Sequence, residues 1–144
     1  MKQQRMQQQH QVNRNEVCPF LIRVFPVENN SLDLKYFEDG TALKKYNSIN
    51  VYAWKDDTLR NIIELSRSQI KIPSDVKNLR FYLNSIYQDP KNNKWVTKKL
   101  GMIYDQDLSS KDRKDEQQTL ANFQFMIGDY IEIQIEYDSH NRKY

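Results

Sequence analysis

At 144 residues and a net charge of +3, the chain suits one domain with a single core of moderate size and flexible ends. Its one cysteine excludes an internal disulfide framework and fits a reducing compartment. No apolar run approaches the ~20 residues needed to span a bilayer and no basic-plus-apolar leader is present, so no membrane partner is expected; so mild a positive charge alone does not argue for nucleic-acid binding.

Residues 1–16 are low complexity, with Gln3, Gln4, Gln7, Gln8, Gln9 and Gln11 among Lys2, Arg5 and Arg14. Such a stretch has almost nothing to bury and is expected to be a disordered arm, with the domain over 17–138 and a flexible tail over 139–144. Cys18-Pro19-Phe20-Leu21-Ile22-Arg23-Val24-Phe25 is rich in β-branched and aromatic residues and predicts a first strand closed by Pro26. Residues 28–48 show no sustained period and read as a long insertion. Residues 49–54 alternate again and predict a second strand. Asp56, Asp57 and Thr58 then offer N-cap oxygens, and the acidic pair suits the positive end of a helix. Leu59, Ile62, Ile63, Ser66 and Ile70 recur at helical spacing, so the spacing predicts a helix with one buried face that Pro73 stops.

Residues 79–83 predict a third strand, extending toward Tyr87. The turn cluster Asp89-Pro90-Lys91-Asn92-Asn93 leads into a shorter strand near Trp95 and Val96. Residues 105–118 are a charged, turn-rich loop, and Thr119, Leu120 and Phe123 start the return to the core. After a Gly128-Asp129 turn, Ile131, Ile133 and Ile135 take every second position, with Tyr130, Glu132, Gln134 and Glu136 between them. Side chains on a strand alternate faces, so this is one strand with a buried face and a wetter face. One helix over a mixed sheet of about five strands, in the order ββαβββ, is an α+β arrangement of the ubiquitin-like β-grasp type. The first and last strands, both strongly apolar, are expected side by side and parallel in the middle of the sheet.

The segments Cys18–Phe25, Tyr52-Ala53-Trp54-Lys55-Asp56-Asp57-Thr58-Leu59 and Phe125-Met126-Ile127-Gly128-Asp129-Tyr130-Ile131 carry a resemblance. Together, in this order, they resemble the Sin-three-associated polypeptides of eighteen kilodaltons, ubiquitin-like subunits of histone deacetylase complexes, over about residues 17 to 137. The resemblance implies a nuclear adaptor without catalysis of its own. It also implies partners: the histone deacetylase corepressor, and scaffold proteins resembling Acinus or Pinin together with an RNA-recognition-motif protein, in splicing-linked assemblies at the exon junction. The 28–48 insertion and the glutamine-rich arm depart from the family pattern.

The residues agree that catalysis is not to be expected. The only histidines, His10 and His140, fall in the two expected tails, so no imidazole stands beside a nucleophile. Cys18 has no candidate base and reads as inert. One cysteine and two tail histidines do not make a zinc tetrahedron, and Asp105, Asp107, Asp112 and Asp115 lack the spacing and glycine of a calcium loop. No cofactor is implied.

Strand parity locates a candidate binding surface. If Phe20, Ile22 and Val24 face the helix, then Leu21, Arg23 and Phe25 face away from it, as do Tyr52, Trp54, Tyr82 and Tyr130. Aromatics around an arginine are typical of interface anchors. The alternative is that the insertion, with Tyr36, Phe37 and Leu43, folds over this face and buries it. The second strand is expected at the sheet edge, where its backbone can accept an added strand, with Trp54 as anchor. A different class of function, direct contact with RNA or DNA, would use Lys91, Lys94, Trp95, Lys98 and Lys99, one aromatic among four cations. The plainer reading of these lysines is an exposed edge that resists strand pairing, with nucleic acid contacted only indirectly.

Overall fold

The computed structural model describes residues 12–28, 31–106 and 115–139. The alternating segments become five strands: β1 (Phe20–Glu28), β2 (Ile49–Ala53), β3 (Val76–Gln88), β4 (Trp95–Tyr104) and β5 (Tyr130–Ser139). They form one mixed sheet in the order β2-β1-β5-β3-β4, and the β1–β5 pair at its centre is parallel. This is the ubiquitin-like α+β arrangement that the element order implies. In the insertion lie two single-turn helices, α1 (Lys35–Glu38) and α2 (Ala42–Lys45), while the main helix α3 spans Leu59–Arg67.

Parity sorts the side chains as expected. Ile22, Val24, Val51, Ala53, Phe81, Leu83, Ile131, Ile133 and Ile135 pack with Leu59, Ile62 and Ile63 of α3 in the principal core. Helix α3 is capped by Thr58, whose hydroxyl accepts the Asn61 amide at 3.2 Å. Buried Ser66 is satisfied by donating to the Ile62 carbonyl at 2.8 Å, one turn back.

Several boundaries differ from the sequence expectation, and four of them have a local reason. β1 starts at Phe20 rather than Cys18, which lies exposed before it. It also runs through Pro26 to Glu28 instead of stopping there. Its ladder with β2 ends at Val24↔Ile49, so beyond that point one side of β1 has no neighbouring strand among the described residues and a missing N–H is tolerated. Helix α3 ends at Arg67, well before Pro73, and buried Ile70 is carried on a following turn. β4 has ten residues where a short strand was expected, because a bulge opposite Leu83 and Asn84 breaks the alternation that would have revealed it.

The insertion follows the alternative reading in part, folding back over the sheet. It lays Phe37 against Phe25, Tyr130 and Trp95, making a second apolar cluster with Leu32, Ala42 and Ile86 on the sheet face away from α3. Glu132, expected on the wetter face of β5, is only 2% exposed beneath it. Its carboxylate is nevertheless satisfied, accepting from the Leu32 amide at 2.7 Å, Asn84 Nδ2 at 2.8 Å and Gln134 Nε2 at 3.1 Å.

Candidate functional site

Burial divides the expected surface in two. Phe25 is 0% exposed and edge-on to Phe37, Tyr46 and Tyr130, so it is a core residue and not an anchor. The reason is the insertion, whose Phe37 covers the same face that parity assigns to Phe25. Tyr130 is half-buried in the same cluster. Leu21, Arg23 and Tyr82 are half-buried on strands of this face. Tyr52 stands clear at 61% exposed, next to half-buried Trp54.

Tyr52 on β2 and Trp54 just beyond it sit at a sheet edge, since among the described residues β2 has a strand neighbour only on the β1 side. Beside that edge runs a groove of about 260 Å³, walled by Tyr52 and Trp54 on one side and by Asn61, Glu64 and exposed Leu65 of α3 on the other. The corner is rigid. Asp57, almost fully buried, accepts the Trp54 amide at 2.7 Å and Asn61 Nδ2 at 3.0 Å, which ties the end of β2 to the first turn of α3.

Part of the chain that the sequence assigned to the arm also reaches this corner. Residues 1–11 of the arm lie outside the described residues, but Val12 donates its amide to Asp56 at 3.1 Å. A turn closed by the Val17 amide on the Asn13 carbonyl presents Arg14, whose guanidinium carbon lies 4.3 Å from the centroid of the Trp54 ring. Arg14 Nη2 donates to Asp56 at 2.8 Å and to Asp57 at 3.3 Å. Desolvation works to lower the Arg14 pKa, and the hydrogen bonds and charges of Asp56 and Asp57 together outweigh it, holding the guanidinium above its ordinary value. The Trp54 indole N–H donates to the Val17 carbonyl at 2.9 Å. Sequence reading missed these contacts because about forty residues separate the partners and nothing periodic links them.

The alternative nucleic-acid set is not assembled as a platform. Lys91, Lys94, Lys98 and Lys99 are exposed, but Trp95 is half-buried and stacked on Tyr130 at 6.0 Å, within reach of Phe37. Lys98 Nζ donates to the Phe123 carbonyl at 3.1 Å. With its indole packed under the insertion, the segment keeps its charge and lacks an open stacking surface. In the acidic run, Asp105 pairs with Arg67 at 2.9 Å and Asp115 accepts the Met102 amide at 2.9 Å, while Asp107 and Asp112 lie outside the described residues. Among the described residues no group of three or more His, Cys, Asp or Glu is placed to hold a metal ion.

Fold and edge together define a ubiquitin-like module that presents, among its accessible features, a sheet edge beside a groove. The family model described as Sin3 associated polypeptide p18 (SAP18) matches residues 11–135, and the chain belongs to that family. The human histone deacetylase complex subunit SAP18 is 27% identical over 124 residues, spanning 86% of this chain and 77% of the human protein. The Drosophila melanogaster subunit is 26% identical over 125 residues, spanning 87% of this chain and 79% of the fly protein. The Arabidopsis thaliana subunit is 27% identical over 127 residues, with 86% and 78% spanned.

Proposed function

We propose that this chain is a non-catalytic adaptor subunit of a nuclear histone deacetylase corepressor complex, and that it captures an extended segment of a scaffold protein along β2. The observation that carries the reading is the β2 edge, unpaired among the described residues, with exposed Tyr52 and the Trp54 groove beside it. An added strand satisfies its backbone groups against β2, and side chains of one parity fall into the groove. The names of the relatives support the deacetylase assignment. The finer reading follows from the family resemblance alone. In it the chain also joins an Acinus-like or Pinin-like scaffold and an RNA-recognition-motif protein in splicing-linked assemblies, touching nucleic acid only indirectly.

Tyr52→Ala tests this in the full chain. Tyr52 is largely in solvent, so the thermal midpoint should stay close to that of the parent. Recovery of deacetylase-complex subunits with the tagged protein, and affinity for an Acinus-like or Pinin-like peptide, should fall more than tenfold, about 1.4 kcal/mol. Trp54→Ala should act in the same direction, with some loss of stability because its indole also holds Val17. A folded Tyr52→Ala protein that binds at full strength would remove the site.

A further inference from the structure

We infer that the corner beside β2 is an arginine-reading site, in which Arg14 of the chain itself occupies the position that a guanidinium of the captured segment takes. The inference rests on the reading that a partner strand docks along β2, and it names what that strand must carry. The corner offers three things to a planar cation: the face of Trp54, the Asp56 carboxylate and the Asp57 carboxylate. A guanidinium stacks on an indole and forks its N–H groups to two carboxylates at once, whereas a compact ammonium does only one of these well.

Two of these groups, Asp57 and the indole, are held by contacts that do not use the Arg14 side chain. Asp57 is fixed by the Trp54 amide and by Asn61. The indole is fixed by the Val17 carbonyl. Arg14, by contrast, sits on a single exposed turn with its side chain 45% exposed, so its guanidinium is within reach of solvent and of a competing cation. The guanidinium can therefore swing out with its turn still in place, leaving Asp57 and the indole where they are. Once it leaves, Asp56, Asp57 and Glu64 give that end of the groove an acidic character, which favours a basic occupant. Tyr52 and Leu65 supply apolar contact for the rest of that segment.

The test uses the full chain and a fluorescein-labelled peptide, Gly-Val-Arg-Val-Arg-Val-Gly, with counterparts in which citrulline or lysine replaces both arginines. Anisotropy titrations give the affinities, and a thermal melt accompanies each variant. Removing the internal competitor by Arg14→Ala should tighten binding of the arginine peptide about three- to tenfold, because the competent fraction of the site rises. Citrulline has the same shape without the charge and should lose at least about tenfold, with lysine in between. Asp56→Asn in the Arg14→Ala background should weaken the arginine peptide and leave the citrulline peptide unchanged. Arg14→Gln repeats the first measurement should the alanine protein fail to fold. Equal affinity for arginine and citrulline peptides would overturn the arginine assignment while leaving strand addition at β2 intact. Weakened binding or a collapsed midpoint in both Arg14 variants would make the residue structural and also overturn it. No binding of any peptide to parent or variants would count against the β2 edge itself.

Discussion

Phe37→Ala measures how firmly the insertion belongs to the domain. Phe37 is 5% exposed, and its ring centroid lies 5.5 Å from Phe25, 5.3 Å from Tyr130 and 5.6 Å from Trp95. Returning a buried phenylalanine ring to water costs about 1.5–3 kcal/mol, and each aromatic pair adds about 0.5–1.5 kcal/mol beyond area. These terms do not add fully, because α1 is a single turn and can settle into the gap. The low end of the range for Phe→Ala, about 3 kcal/mol, is therefore expected. In a domain of this size that lowers the thermal midpoint by roughly 6–12 °C. Urea and thermal melts in a Trp54→Phe background leave Trp95 as the reporting indole, and its emission should shift to the red as the cover loosens. A red-shifted indole with an unchanged midpoint would show that the insertion melts apart from the sheet. An unchanged indole and midpoint would refute the packing itself.

Ile133→Ala, at the centre of β5, should cost about 2–5 kcal/mol, whereas Arg23→Ala on the opposite face should be nearly neutral; equal losses in urea melts would refute the assignment of faces. Gly101→Ala would place a Cβ 2.9 Å from the Asp115 carboxyl carbon, while that carboxylate holds the Met102 amide at 2.9 Å. The variant should lose about 1–2 kcal/mol and the Met102 amide its protection from hydrogen exchange; retained protection would show that Asp115 simply moves aside. Burial raises the pKa of the Asp129 carboxyl from its ordinary value, against the opposing hydrogen bond from the Met126 amide. Because the folded value lies above the unfolded one, stability from the protonated group is full below the unfolded pKa and is lost as pH rises through the folded one. Asp129→Asn should therefore compare more favourably with the parent at pH ~7 than at pH ~3.5 in urea melts, and the reverse order would refute burial as the cause.

The fold was legible wherever one face of an element is wet. Ile131, Ile133 and Ile135 alternate with polar residues, and Leu59, Ile62 and Ile63 repeat at helical spacing, so the strand and the start of the helix lie where the pattern puts them. Legibility failed where two apolar layers meet the same strand. The residues facing the insertion, Phe25 and Tyr130, have the character of an open aromatic surface unless the residues covering them are known. Their cover, Phe37, sits on a four-residue helix too short to leave a period. The edge position of β2 followed from topology, and so the Tyr52 and Trp54 groove was within reach of sequence. The Arg14 contact was not, because a single arginine in a polar arm carries no signal of its destination.

The place of β5 in the sheet sets an order of events for the whole molecule. β1 and β2 pair as one antiparallel ribbon, β3 and β4 as another, and in the described sheet β5 is the neighbour that joins them. Without residues 130–139 the two ribbons share no strand ladder, and each has an unmatched inner margin. Isolated two-stranded ribbons are marginal in water, and pairing across so long a stretch of chain is slow to nucleate. The domain should then cohere late and all at once, with the joining strand as the step that commits it.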